Sequence, residues 1–325
     1  MSTVVDAPQM QSPVPAVSEP AAAVIPPLAK KKPLGRAFWV ATTWLGIVSF
    51  CALTGPWLPF VKSGDDATDF IAGAMVTDGK WLDTFSKHHW LGVDSSGNDW
   101  FSLLILSARN SLIIAIATIV IGFTIGGILG MVAGYRRGRL DAIVSFAITV
   151  LLSMPPLLFI ILLVSVLSAG GDGSGVEQGL STTVWKLSLS LGILSVPILF
   201  RVVRGSTISF ANREFVLASR TLGAKTGRVL FREILPNVAK PMLAYGLVSA
   251  GNVMVIEGAL SYLGLGVGDT WAWGKMIQSG ASLREMRISP HIIIVPALTL
   301  FFTVLSLNFV GDKIRERLEV KEGNL

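Results

Sequence analysis

One cysteine, Cys51, and three histidines, His88, His89 and His291, are all that 325 residues contain of the two usual soft metal ligands. A lone thiol excludes an intrachain disulfide across external loops and any cysteine-based metal site, so Cys51 reads as a small apolar residue of a helix. His88 and His89 adjoin Trp90, and the pair stays open between a metal contact and an ordinary stretch at a membrane surface. The chain also lacks a GxxxxGK[ST] phosphate loop, an HExxH helix and a GxSxG nucleophile turn. It is therefore not expected to hydrolyse ATP or a substrate bond, and no cofactor or metal is expected on it. Charge is scarce as well: 15% of residues are charged against 51% apolar, with a mean hydropathy of +0.63. That composition excludes an ordinary soluble domain.

What is present are long apolar runs, of the roughly 20-residue length that crosses a bilayer as a helix with its backbone hydrogen bonds satisfied internally. Six spans are expected, near residues 37 to 54, 109 to 134, 142 to 169, 183 to 203, 239 to 263 and 290 to 311. The second is free of charge from Ser111 to Gly134 and carries glycines suited to close helix contact. Pro155 and Pro156 interrupt the third, where missing amide hydrogens and ring clashes predict a bend or break; a kink lining a pathway and plain packing both remain open. Residues 1–36, rich in Pro, Ala, Ser and Val, read as a disordered tail. Because that neutral tail precedes the first apolar run, span 37–54 reads as a retained helix and not a cleaved signal.

The few charges are sorted by side. Lys30, Lys31, Lys32 and Arg36, then Arg136, Arg137 and Arg139, then Lys313, Arg315, Arg317 and Lys321 fall on one side of six crossings. By the positive-inside rule that side is the cytoplasm, with both termini there, although attraction of basic loops to anionic lipid gives the same bias. The loop of about 55–108 holds instead Asp65, Asp66, Asp69, Asp78, Asp83, Asp94 and Asp99 against three lysines. The net charge of +6 thus reports topology and not nucleic-acid binding.

One polar stretch on the basic side stands apart, EFVLASRTLGAKTGRVLFREILPN, residues 214–237. As a helix its first half aligns Phe215, Ala218 and Leu222 by three- and four-residue spacing. Gly223 ends that helix, since glycine tolerates a left-handed backbone, and a second helix is expected from about Thr226 to the membrane at Pro236. An apolar ridge offered to a cytoplasmic partner and a helix lying flat on lipid both fit the pattern.

The same stretch resembles the cytoplasmic coupling motif of permease subunits in binding-protein-dependent ABC importers, with Ala218, Gly223, Leu235 and Pro236 at the family spacing. Leu217 stands where the motif has Glu and Ser219 where it has its second Ala; Glu214, one turn earlier, can contribute charge. LGVDSSGNDWFSLLILSARNSL, residues 91–112, is similar to the stretch before the second span in C-type dipeptide, oligopeptide and nickel permeases, through Leu91, Gly92, Asp94, Gly97, Asp99, Ser102, Arg109, Ser111 and Leu112. EGALSYLGLG with a following Trp-Gly, and LNFVGDKIRERLEV, resemble two further stretches of that family.

The resemblance implies an all-α integral membrane protein of the type I importer permease fold. It divides into the tail 1–36, a first helix 37–54, an external loop 55–108, a five-helix core 109–311 with a coupling helix at about 212–223, and a cytoplasmic tail 312–325. It implies a second homologous permease, two cytoplasmic ATP-binding subunits holding ATP and Mg, an extracytoplasmic binding protein and the inner membrane of a bacterium. Contact with the ATPase falls on Glu214, Phe215, Ala218, Ser219, Arg220, Leu222, Gly223 and Pro236. Pathway or permease-joint candidates are Pro155, Pro156 and Glu257, the last because a carboxylate within a span is costly in hydrocarbon; a hydrogen-bonded carboxylate fixing a helix end is the other reading. Trp271 and Trp273 read as lining the outer mouth or as membrane-interface aromatics. Peptides are the expected solute, with nickel or another small solute as alternative. A self-contained secondary transporter would show repeated halves, and no convincing repeat is seen. A membrane-embedded enzyme would need clustered acids, histidines or nucleophiles, and Glu257 stands alone.

Overall fold

A computed structural model of the chain describes residues 35–59, 61, 90–94, 98–169, 180–266 and 270–322. Most of the tail, the greater part of the loop 55–108 with His88 and His89, and the last three residues lie outside them. Within the described residues the chain is helical. The elements are α1 (Gly35–Thr54), α2 (Trp100–Arg136), α3 (Gly138–Ser153), α4 (Pro156–Ala169), α5 (Leu180–Ala211), α6 (Glu214–Thr221), α7 (Thr226–Tyr262), α8 (Trp273–Gly280), α9 (Leu283–Ile288) and α10 (His291–Glu322). Five helices are long and apolar enough to cross a membrane, and α3 with α4 makes a sixth if the bent pair is one span.

Several elements differ from the spans expected, each for a local reason. The second span starts at Trp100 and not at 109, because Asp99 caps it by accepting a hydrogen bond from Ser102 N at 2.9 Å. Arg109 therefore lies inside the helix. Asp94 braces the preceding turn, accepting from both Asn98 N at 2.8 Å and Asn98 Nδ2 at 2.9 Å. The carboxylates Asp94 and Asp99 are thus spent on a turn and a cap. The fourth span continues past 203 to Ala211, and α10 runs through Glu322, so much of the expected tail 312–325 is helix.

At Pro155 and Pro156 the third span turns by 95° between α3 and α4. Met154 takes an extended backbone, ψ 137°, as the residue before a proline prefers, and Pro156 opens the next helix where no amide hydrogen is needed.

The bundle is held by two kinds of contact. Helix α10 packs along α7, α1 and α8, while α2 packs along α5. A main core joins Trp100, Ile114, Ile160, Leu191, Met254, Leu260, Trp273 and Met276. Along α2, Gly122, Gly126, Gly130 and Gly134 recur every four residues against α5. A Cβ on Gly126 would stand 2.6 Å from the Val196 carbonyl oxygen, one on Gly130 2.8 Å from that of Phe200, and one on Gly134 2.9 Å from that of Arg204. Only glycine permits this approach, the small-residue packing by which helices associate where lipid supplies no hydrophobic drive. A π-helical turn at Phe123–Gly127 lies within the seam.

Candidate functional site

The segment between α5 and α7 is built around α6. Glu214 in its first turn and Arg220 in its last complement the helix dipole. Its end is a Schellman turn: Gly223 N donates to Arg220 O at 2.9 Å and Ala224 N to Ser219 O at 3.1 Å, with Gly223 at φ +80°. Helix α7 then restarts at Thr226 and passes through a π-helical turn, Val229–Ile234, just ahead of Pro236. A widened turn suits that position, because a proline ring would collide with the carbonyl four residues back and offers it no donor.

One side chain fastens α6 to the bundle. Val216 is fully buried and joins Val203, Phe210, Val229, Leu230, Ile234 and Val238 in a second core at this end. Two polar contacts add to it. The Arg220 guanidinium lies 4.9 Å from the centre of the Tyr135 ring at the end of α2, and Arg137 Nη2 donates to Asn212 Oδ1 at 3.1 Å. Arg137 has φ 52°, the only positive value outside glycine among the described residues. Arg204 of α5 forms a forked ion pair with Asp141 of α3, at 2.5 Å and 2.7 Å.

With Val216 turned inward, the apolar side chains around it are left outside. Phe215, Leu217, Leu222 and Phe231 are all exposed, Leu222 at 88%. Glu214, Ala218 and Arg220 are exposed, Ser219 is half-buried, and Gly223 and Pro236 are exposed beside them. The candidates from Glu214 to Gly223 therefore share one short helix and its cap, while Pro236 sits further along at the start of the long part of α7. Large apolar residues left uncovered on a short helix, with Arg213, Arg228 and Arg232 also exposed in the same segment, mark a surface for contact with another chain or with a membrane. Val216, Tyr135, Leu217 and Phe231 were not among the sequence candidates. Val216 and Leu217 follow Phe215 directly, and an eight-residue helix has too few turns for periodicity to say which apolar side faces in.

The remaining candidates lie elsewhere. Pro155 and Pro156 are exposed at the α3–α4 bend. Glu257 is 1% exposed near the end of α7, where Oε1 accepts from Ser261 Oγ at 2.8 Å and Oε2 has no hydrogen-bond partner among the described residues. Helix α8 closes over this end so tightly that a Cβ on Gly274 would stand 2.7 Å from Gly258 Cα. One expectation for the tryptophans needs correction. Trp273 lines neither a mouth nor an interface: it is buried, its backbone N–H donates to Ser111 Oγ at 3.1 Å and its indole N–H to Leu104 O at 3.0 Å, pinning α8 to α2. Trp271 is half-buried, edge-on to Trp100 at 6.1 Å, and its carbonyl accepts from Asn110 Nδ2 at 2.7 Å.

The chain is similar to known proteins in sequence and in fold. Residues 126–321 match the family model described as binding-protein-dependent transport system inner membrane component. A putative peptide permease protein of Brucella ovis is 30% identical over 272 residues, covering 83% of this chain and 82% of its own. The oligopeptide transport system permease protein OppC of Bacillus subtilis is 37% identical over 237 residues, covering 73% of each. Among solved structures, the inward-facing MetNI methionine ABC transporter contains a chain that superposes with a TM-score of 0.54 at 18% identity, covering 67% of this chain and 97% of that one. At that identity the likeness is one of fold.

Proposed function

The chain belongs to the binding-protein-dependent transport system inner membrane component family, and from that premise we propose that it is one of two permease subunits of an ATP-driven importer for di- and oligopeptides. The observation that carries the reading is the set of exposed apolar side chains Phe215, Leu217 and Leu222 on α6, a helix held by the buried Val216 and ended by Gly223, between two membrane-crossing helices. Two cytoplasmic ATPases dock on this helix and on its counterpart in the second permease. An extracytoplasmic binding protein delivers the solute to the opposite face. The basic end of the bundle lies in the cytoplasm with both termini, and the membrane is the bacterial inner membrane.

Peptides come first because the relatives are named for them; nickel gains no support from those names. ATP closure of the ATPases acts on solute access only through a difference in affinity between permease conformations. Rigid contacts that move α6 with the bundle provide for that. Val216 couples it to α5 and α7, and Tyr135 couples it to the end of α2.

Purification of a tagged copy from its native membrane in mild detergent, with mass spectrometry of the stoichiometric companions, tests the assembly. Recovery of nucleotide-binding subunits with a second permease is the expected result. A chain that comes out alone or only with itself in several detergents contradicts it.

A further inference from the structure

The joint between α2 and α3 holds a residue in a backbone state that does not suit it. The Arg137 N–H donates to Ala133 O at 2.9 Å as the last bond of α2, and the residue then turns to φ 52°, ψ −171°. That corner of backbone space is open to glycine, and a residue with a Cβ stays there only where its surroundings hold it. Gly138 follows at φ 75° in open space, with nothing within 4 Å of an added Cβ. A second glycine would make the same turn without strain. What holds the arginine is its side chain, whose Nη2 donates to Oδ1 of Asn212 at 3.1 Å. Asn212 lies between the last residue of α5, Ala211, and the start of α6 at Glu214.

The helix beyond the joint is loosely held. Helix α2 buries residues along its length against α5. Helix α3 buries only Ile148, which joins Ala133, Val196 and Phe200 in a small core, and it leaves Ile143, Phe146 and Val150 exposed. The pair of Asp141 with Arg204 ties its first turn to α5, and its far end runs into the 95° bend at Pro155 and Pro156. The strain at Arg137 and the gain from one exposed hydrogen bond of a charged donor are similar in size. The joint is therefore balanced between two backbone states, and Asn212 decides which one is occupied.

We propose that Arg137 is a positioning residue of the transport cycle: its hydrogen bond to Asn212 latches a strained hinge at Arg137 and Gly138, and movement of α6 against α2 opens the latch, relaxes Arg137 and swings α3. A hinge of this kind needs only one or two residues to absorb the backbone change. The proposal rests on the importer reading above, in which α6 receives the ATPase, and adds a route from α6 to one particular helix. Val216 and Tyr135 make α6 move with the bundle; Arg137 joins the base of α6 to α3.

The test uses the assembled complex in lipid nanodiscs, with Cys51→Ser removing the native thiol. Nitroxide labels go on Phe146→Cys of α3 and Ile198→Cys of α5, both exposed positions, and double electron–electron resonance reads the distance between them. The resting complex is expected to show one population. Asn212→Ala cuts the latch and leaves the strain unopposed, so it is expected to shift the balance roughly tenfold toward a second distance. Arg137→Gly removes latch and strain together and is expected to shift it less, an order that a merely structural arginine would reverse. Asn212→Asp keeps an acceptor and is expected to return the single population. The second distance is expected to equal the one that ATP with vanadate gives the unlatched wild type. An unchanged distance in Asn212→Ala, a larger shift in Arg137→Gly, or a second distance unlike the one seen with ATP and vanadate overturns the proposal. A complex without nucleotide-binding subunits would sink the importer reading by itself, and the resting distances would still decide the latch.

Discussion

The α2–α5 seam and the segment from Asn212 to Phe231 both depend on glycine, and they use it in opposite ways. In the seam, Gly126, Gly130 and Gly134 remove bulk so that two helices meet backbone to backbone. At Gly223 there is no crowding, for nothing lies within 4 Å of an added Cβ; what matters is the left-handed turn at φ +80°. The seam satisfies itself within the chain. The segment leaves Phe215, Leu217, Leu222 and Phe231 without cover. The difference teaches that this chain is a rigid bundle with an external handle, the handle fixed by one buried valine and by contacts to the end of the seam helix.

Substitutions that add bulk separate the two uses. Gly126→Val sets a side chain against the Val196 carbonyl, where backbone faces backbone and neither can give way. A cost of about 3 kcal/mol or more is expected, seen as loss of the permease from membranes and a lowered melting temperature in detergent. Normal accumulation would break the comparison at its rigid half. Gly223→Val meets no neighbour but forces a β-branched residue into a left-handed turn, at about 1–2 kcal/mol. Its expected result is an assembled complex whose ATP hydrolysis is uncoupled from uptake, and normal uptake would remove the handle from the account.

Smaller effects sharpen the picture. Leu222→Asp touches nothing in the bundle, so the melting temperature of the isolated chain is expected to stay put while affinity for the ATPase falls roughly tenfold, as for loss of an interface anchor; equal affinity would show that the ridge is not the contact. Tyr135→Leu removes the ring under Arg220, worth about 0.5–1 kcal/mol at an exposed site. A two- to fivefold loss of coupled transport, roughly, is expected in a proteoliposome assay, whereas a collapse of assembly would mean that Tyr135 serves the core instead.

Much of the rigid half was legible in the sequence. Long charge-free runs can only be membrane helices, paired prolines can only interrupt one, and a glycine three residues beyond Arg220 closes a short helix. The four-residue spacing of small residues in α2 announced close contact without naming α5 as the partner. Span limits were less legible, because charge was read as an edge: Arg109 and Arg204 both lie inside helices, the latter neutralised by a carboxylate 63 residues away in sequence. The handle was half legible. Phe215, Ala218 and Leu222 were readable as a ridge, yet its outward direction follows from Val216, which enters a core made by α5 and α7. Trp273 escaped for a similar reason, since an aromatic residue near a span end fits an interface until its two N–H groups find Ser111 and Leu104.

The central claim is that the ridge on α6 meets an ATPase, and a photocrosslinking amino acid placed at Leu222 in the intact complex, in its own membrane, tests it most directly. An adduct between this chain and a nucleotide-binding subunit, changing in yield when ATP is added, is the expected result. Adducts to lipid alone from a complex that still co-purifies with its ATPase would contradict the claim, and would mean that α6 lies flat on the bilayer.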